Sequence, residues 1–94
     1  IFLIKMKNLN ISNYKILKSD GVFTIKNINT TLGFVRFNQN GEVEYIFVNP
    51  LFRKKGLAKK LLQLVKEKTK KKIIFQKPIS PLGLKLMKYL KNLN

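Results

Sequence analysis

The residue pattern predicts an α+β fold: a mostly antiparallel sheet with one βαβ crossover and a C-terminal helix. Three observations carry this expectation. Two glycine turn pairs, Asp20-Gly21 and Asn40-Gly41, divide the first half of the chain into apolar runs, and both pairs tolerate the positive φ that a tight hairpin demands. After Asn49-Pro50 the apolar residues change from strand spacing to helical spacing. Ser80-Pro81 then opens a second helical stretch, Ser suiting the N-cap and Pro the first helical position.

Around the turns, strands are expected at residues 14–18, 22–28, 32–38 and 42–48, with Asn29-Thr30-Thr31 as a further turn. Residues 1–6, within an N-terminal segment 1–12, read as an extra strand. Pro50 ends the fourth strand, because it lacks the ladder N–H and biases the residue before it away from helix. Leu57, Ala58, Leu61, Leu62 and Val65 then form one stripe of a helix from about residue 54 to residue 69, with Lys59, Lys60, Lys66 and Lys68 on its other face. Lys70-Lys71-Lys72 closes it, where cations suit the negative end of the helix dipole. Ile73-Ile74-Phe75 reads as a short buried strand parallel to residues 42–48, since a helical crossover returns the chain to the same end of the sheet. Leu82, Leu86, Tyr89, Leu90 and Leu93 supply the apolar stripe of the last helix.

At 94 residues the chain is one domain, residues 1–94. It has no Cys, His or Trp, which excludes thiol nucleophiles, histidine acid–base relays and ordinary zinc sites. Four carboxylates, Asp20, Glu42, Glu44 and Glu67, are too few and too scattered for a metal cage, so no metal is expected. The net charge of +16 predicts attraction to polyanions. Eighteen of the twenty cations are Lys, in a chain also crowded with Asn, Ile and Phe, a composition that coding bias toward A and T also produces. No apolar run approaches the ~18 residues of a membrane span, and a cytoplasmic protein without a membrane partner is expected.

The strand-to-helix turn runs Val48-Asn49-Pro50-Leu51-Phe52-Arg53-Lys54-Lys55-Gly56-Leu57-Ala58. A helix N-terminus leaves backbone N–H groups without partners and carries partial positive charge, so an anion is held there without a dedicated side chain. Gly56 permits close approach, Ala58 keeps the first turn free of bulk, and Arg53, Lys54 and Lys55 add charge suited to a diphosphate.

This stretch resembles the Arg/Gln-x-x-Gly-x-Gly/Ala signature of the GNAT superfamily, the Gcn5-related N-acetyltransferases, and most of all its very short members. The resemblance covers residues 13–94. It implies a truncated GNAT-like (acyl-CoA N-acyltransferase) fold, lacking the two helices that usually follow the first strand and the closing strands after the final helix. It also implies acetyl-CoA as cofactor. The pyrophosphate would lie on Arg53, Lys54, Lys55, Gly56, Leu57 and Ala58, and the pantetheine arm along the main chain of Ile46, Phe47 and Val48. Ser80 aligns with the Asn of the family's Asn-x-x-Ala-x-x-x-Tyr setting and Gly83 with its Ala, which puts Met87 where Tyr is expected. Tyr89, two residues on, is the candidate general acid. Glu42, six residues before Val48, is the candidate base, with Glu44 two residues further along. Phe75-Gln76-Lys77-Pro78 lacks the Cys that the shortest members often carry.

Two readings stand at this point. In the first, the chain is an N-acetyltransferase acting on the amine of a protein or small molecule, its open acceptor site completed by an oligomer or a partner chain. In the second, it is a catalytically decayed GNAT-like basic module inside a ribonucleoprotein or virion, touching nucleic-acid phosphates through Lys59, Lys60, Lys66, Lys68 and Lys70–Lys72.

Overall fold

Turn chemistry and two-residue alternation build the sheet. A computed structural model describes residues 14–53 and 55–94. The strands β1 (Lys15–Ser19), β2 (Val22–Lys26), β3 (Thr31–Phe37) and β4 (Glu42–Val48) pair antiparallel in chain order. The strand expected at residues 1–6 lies outside the described residues. Gly21 and Gly41 take φ of 78° and 81° at the two hairpin turns, the left-handed region that favours glycine. β2 stops at Lys26, two residues earlier than expected, because the Asn27 side chain turns the chain. Its Oδ1 accepts from the amides of Asn29 (2.9 Å) and Thr30 (2.8 Å).

Two irregularities interrupt the alternation. Ile25 faces Gly33 and Lys26 faces Thr31, which leaves Leu32 as an extra residue on β3. Arg36 faces Tyr45 and Phe37 faces Val43, which leaves Glu44 as an extra residue on β4. Each is a bulge, and each bends its strand and increases its twist.

After β4 a short 3-10 turn, Pro50–Phe52, leads to helix α1 (Leu57–Thr69). The helix begins at the first residue of its apolar stripe, three residues later than the expected start near residue 54, because Gly56 sits at φ 80° and breaks the helical path before Leu57. Strand β5 (Ile74–Phe75) returns parallel to β4, and helix α2 (Pro81–Leu93) follows. The Ser80 hydroxyl accepts from the Gly83 amide at 3.1 Å and caps α2 as expected. α1 ends at Lys70 in a left-handed conformation, φ 57°, its amide bonded to the Lys66 carbonyl at 2.8 Å.

Leu57, Leu61, Leu62, Leu64 and Val65 of α1 and Leu86 and Leu90 of α2 share one core with Ile25, Leu32, Val35, Val43, Ile46, Val48 and Ile73. Leu61, Leu62 and Val65 are fully buried, each worth about 1.5–3 kcal/mol. Both helices therefore cover the same face of the sheet. Asn94 fastens the far corner: its side chain donates to the Ile73 carbonyl and accepts from the Ile73 amide, both at 2.8 Å. No helix among the described residues is long and apolar enough to cross a membrane.

Candidate functional site

β4 is seven residues long and β5 only two, so the parallel pair parts almost as soon as it forms. Glu42 and Val43 face Ile74 and Phe75, and the last ladder bond runs from the Gln76 amide to the Val43 carbonyl at 2.9 Å. Pro78 cannot extend the ladder because it has no N–H. Among the described residues, one edge of β4 is open beyond Val43.

Alternation decides which main-chain groups point into that opening. The Asn49 amide donates to the Leu32 carbonyl of the β3 side at 2.8 Å, so Phe47 and Tyr45 also turn their N–H and C=O toward β3. Ile46 and Val48 turn theirs the other way, into the parting. Of the three residues expected along an extended ligand arm, Ile46 thus offers its N–H and C=O and Val48 its N–H, the Val48 carbonyl already accepting from Arg53, while the groups of Phe47 lie in the β3–β4 ladder opposite Phe34. The Ile46 and Val48 side chains are buried in the core at the same time.

A cleft of roughly 410 Å³ occupies the parting. Val43, Glu44, Tyr45 and Ile46 form one wall, and Phe75, Gln76, Pro78, Ile79, Ser80 and Gly83 form the other. Gly83 is needed for tightness here, since a Cβ on it would come 2.8 Å from Ile79 Cγ2.

The strand delivers the chain to the start of α1 through a fixed corner. Asn49 Oδ1 accepts from the Leu51 amide at 3.0 Å, and the Asn49 carbonyl accepts from the Phe52 amide at 2.8 Å. Arg53 folds back so that its Nε donates to the Val48 carbonyl at 3.2 Å. Its guanidinium therefore sits between the open end of β4 and the helix start. The first intrahelical bond is from the Lys60 amide to the Gly56 carbonyl, 3.0 Å, so the amides of Leu57, Ala58 and Lys59 precede the helical ladder and face outward from its positive end. A Cβ added to Gly56 would meet nothing within 4 Å. The glycine is required by its φ, and the space in front of it is clear. Arg53 and Lys55 are exposed beside it; Lys54 lies outside the described residues.

The candidate acid–base residues fall at different distances from this cleft. Glu42 stands at the paired end of β4, and its carboxylate accepts from Asn38 Nδ2 at 2.6 Å. Its amide donates to Asn38 Oδ1 at 3.1 Å. Glu44, the bulged residue, is exposed and lines the cleft. Ser80 lines it too, while Met87 is exposed and outside it. Tyr89 is half-buried between the helices, where Lys59 Nζ lies 5.3 Å from its ring centroid, and it does not line the cleft.

Three site features had no expectation attached to them: the bulge at Glu44, the Asn49 corner and the Arg53 to Val48 bond. The Asn-Pro pair marks a stop in the sequence, but only the fold shows the Asn49 side chain building the turn. No group of three or more potential metal ligands occurs among the described residues.

Residues 4–78 match the acetyltransferase (GNAT) family. No curated protein and no solved structure matched the chain.

Proposed function

Because the chain belongs to the acetyltransferase (GNAT) family, we propose that it transfers an acetyl group from acetyl-CoA to an amine acceptor. One observation carries this reading: β4 parts from β5 upstream of a helix whose first amides precede its own hydrogen-bond ladder and whose entry glycine faces clear space. The residues present fit such a cofactor. Leu57, Ala58 and Lys59 amides with Arg53 and Lys55 would hold the pyrophosphate, and Ile46 and Val48 main-chain groups would hold the amide-bearing arm, as a strand does for its neighbour. When bound, the thioester supplies an activated carbonyl and a thiolate leaving group.

The chain's own contribution is mostly positional. Ile46 and Val48 main-chain groups would hold a bound thioester along the β4 edge, and placing an amine within reach of its carbonyl is itself worth several orders of magnitude in rate. An ammonium cannot attack, so a proton must be removed. Glu44 lines the cleft and is open to an acceptor, whereas the Glu42 carboxylate is engaged by Asn38. Glu44, directly or through water, is the group we assign to take that proton. Tyr89 does not line the cleft, so a thiolate leaving there would take its proton from solvent.

Calorimetry with acetyl-CoA tests the cofactor reading, using the wild-type chain and an Arg53→Glu, Gly56→Val double variant. Saturable heat that is lost in the variant is expected. Equal affinity for both proteins, or no heat with either, would overturn it. Thiol release on adding candidate amines then tests transfer separately from binding.

A further inference from the structure

The helices cover one face of the sheet, and the other face has a chemistry of its own. Three outward rows run across the strands. Lys15, Lys26 and Thr31 form the first; Leu17, Thr24, Phe34 and Phe47 the second; Ser19, Val22, Arg36 and Tyr45 the third. None of these residues belongs to the core cluster on which α1 and α2 pack. Phe34 lies at the centre, its ring centroid 5.5 Å from that of Phe47 and 5.8 Å from that of Tyr45. Tyr45 is 50% exposed and Leu17 49%. The three rows contain Lys15, Lys26 and Arg36, all exposed, and no carboxylate.

We propose that this face binds single-stranded nucleic acid, the Phe34, Tyr45 and Phe47 rings stacking on bases while Arg36, Lys15 and Lys26 meet the phosphates. The reasoning is geometric and electrostatic. Rings on adjacent strands of an antiparallel sheet form a platform whose spacing lets successive unstacked bases lie on successive rings. Arg36 shares the third row with Tyr45, so a cation stands beside the ring stack rather than on a separate surface. A chain of net charge +16 attracts a polyanion to any face, but this face adds the exposed Tyr45 ring and the half-buried Phe34 and Phe47 rings to the exposed cations Lys15, Lys26 and Arg36, which outnumber the bulged Glu44 carboxylate beside Tyr45. Duplex would be a poor ligand, because its bases are already stacked on one another. The site is distinct from the cofactor cleft and does not rest on acetyl transfer; Tyr45 alone borders both.

Fluorescence anisotropy with labelled 15-nucleotide DNA and RNA strands, and with the matching duplex, tests the proposal on the full chain across a salt series. Preference for single strands is expected. Phe34→Leu, Tyr45→Leu and Phe47→Leu keep apolar bulk but remove the π face, and each should weaken binding by about fivefold or more. Arg36→Gln should lower the slope of log affinity against log salt by about one, and Lys68→Gln, on α1, should leave the preference for single strands intact. Equal affinity for strand and duplex with the leucine variants unchanged would overturn the proposal in favour of lysine contacts alone. No binding, together with a concentration-dependent dimer that Tyr45→Leu dissolves, would assign the face to a second copy. No binding by a protein that stays monomeric would overturn the proposal outright.

Discussion

Replacing Gly33 by alanine tests how closely β3 and β4 must approach for the site to exist. Gly33 lies opposite Val48, and a Cβ there would stand 2.7 Å from the Phe47 carbonyl oxygen, 3.4 Å from Val48 Cα and 3.5 Å from Leu61 Cδ1. The first contact is 0.7 Å inside the 3.4 Å at which ordinary contact begins, and its partner is backbone, which cannot rotate away. Relief requires β4 to move or the strands to separate. Overpacking of this kind costs about 1–3 kcal/mol, which in a chain of this size lowers Tm by about 5–20 °C. The strand that must move carries Ile46 of the cleft and Val48 beyond it, so acetyl-CoA affinity should fall along with stability. Gly56→Ala is the control. A Cβ there meets nothing, leaving only the φ penalty of about 1 kcal/mol. Thermal and urea unfolding read both variants. A Gly33→Ala protein melting within about 1 °C of wild type would refute the close-approach argument.

Three further outcomes are expected. Lys70→Gly should stabilise the chain by about 0.5–1 kcal/mol in urea unfolding, since Lys70 holds φ 57° at a C-cap that glycine adopts without strain. Asn94→Ala should cost about 1–3 kcal/mol, because it strips both partners from the Ile73 backbone. Hydrogen exchange at the Ile73 amide should accelerate with it. With an active acceptor in hand, Glu44→Gln should lower kcat by about 100-fold or more with acetyl-CoA affinity unchanged, whereas Glu42→Gln should affect rate far less; the reverse order would move the proton-accepting role to Glu42.

Most of the fold could be read from residue types whose physics is local. Asp20-Gly21 and Asn40-Gly41 demand positive φ wherever they occur, Pro50 stops a ladder in any sheet, and Ser80-Pro81 starts a helix by capping its own first turn. The GNAT family assignment rested on the same stretch, from Val48 to Ala58, and the family match at residues 4–78 agrees with it. Less was legible where a long-range partner decides. The bulges at Leu32 and Glu44 arise from how β3 registers against β2 and β4, and no residue in either strand announces an extra position. Strict alternation therefore puts Glu42 and Glu44 on equal terms, while the fold gives one of them to Asn38 and the other to the cleft. The start of α1 was blurred because Lys54 and Lys55 suit a helix, and only the backbone of Gly56 shows that the helix waits until Leu57. The aromatic rows were hidden for the same reason: Phe34, Tyr45 and Phe47 look like ordinary strand residues until the helices are seen to choose the opposite face.

The two-residue pairing of β5 has a mechanical consequence. One wall of the cleft is attached to the sheet by the Ile74 to Gly41 and Gln76 to Val43 bonds, backed by the Asn94 clasp on Ile73. These links can break without unzipping the four antiparallel strands, since none of the β1–β4 ladders runs through that wall, which is otherwise held by the packing of Ile73, Leu86 and Leu90 in the shared core. The gap between the strands is thus bounded on one side by a continuous antiparallel ladder and on the other by a segment held mainly through side-chain packing, the kind of element that opens locally before the rest of a fold does.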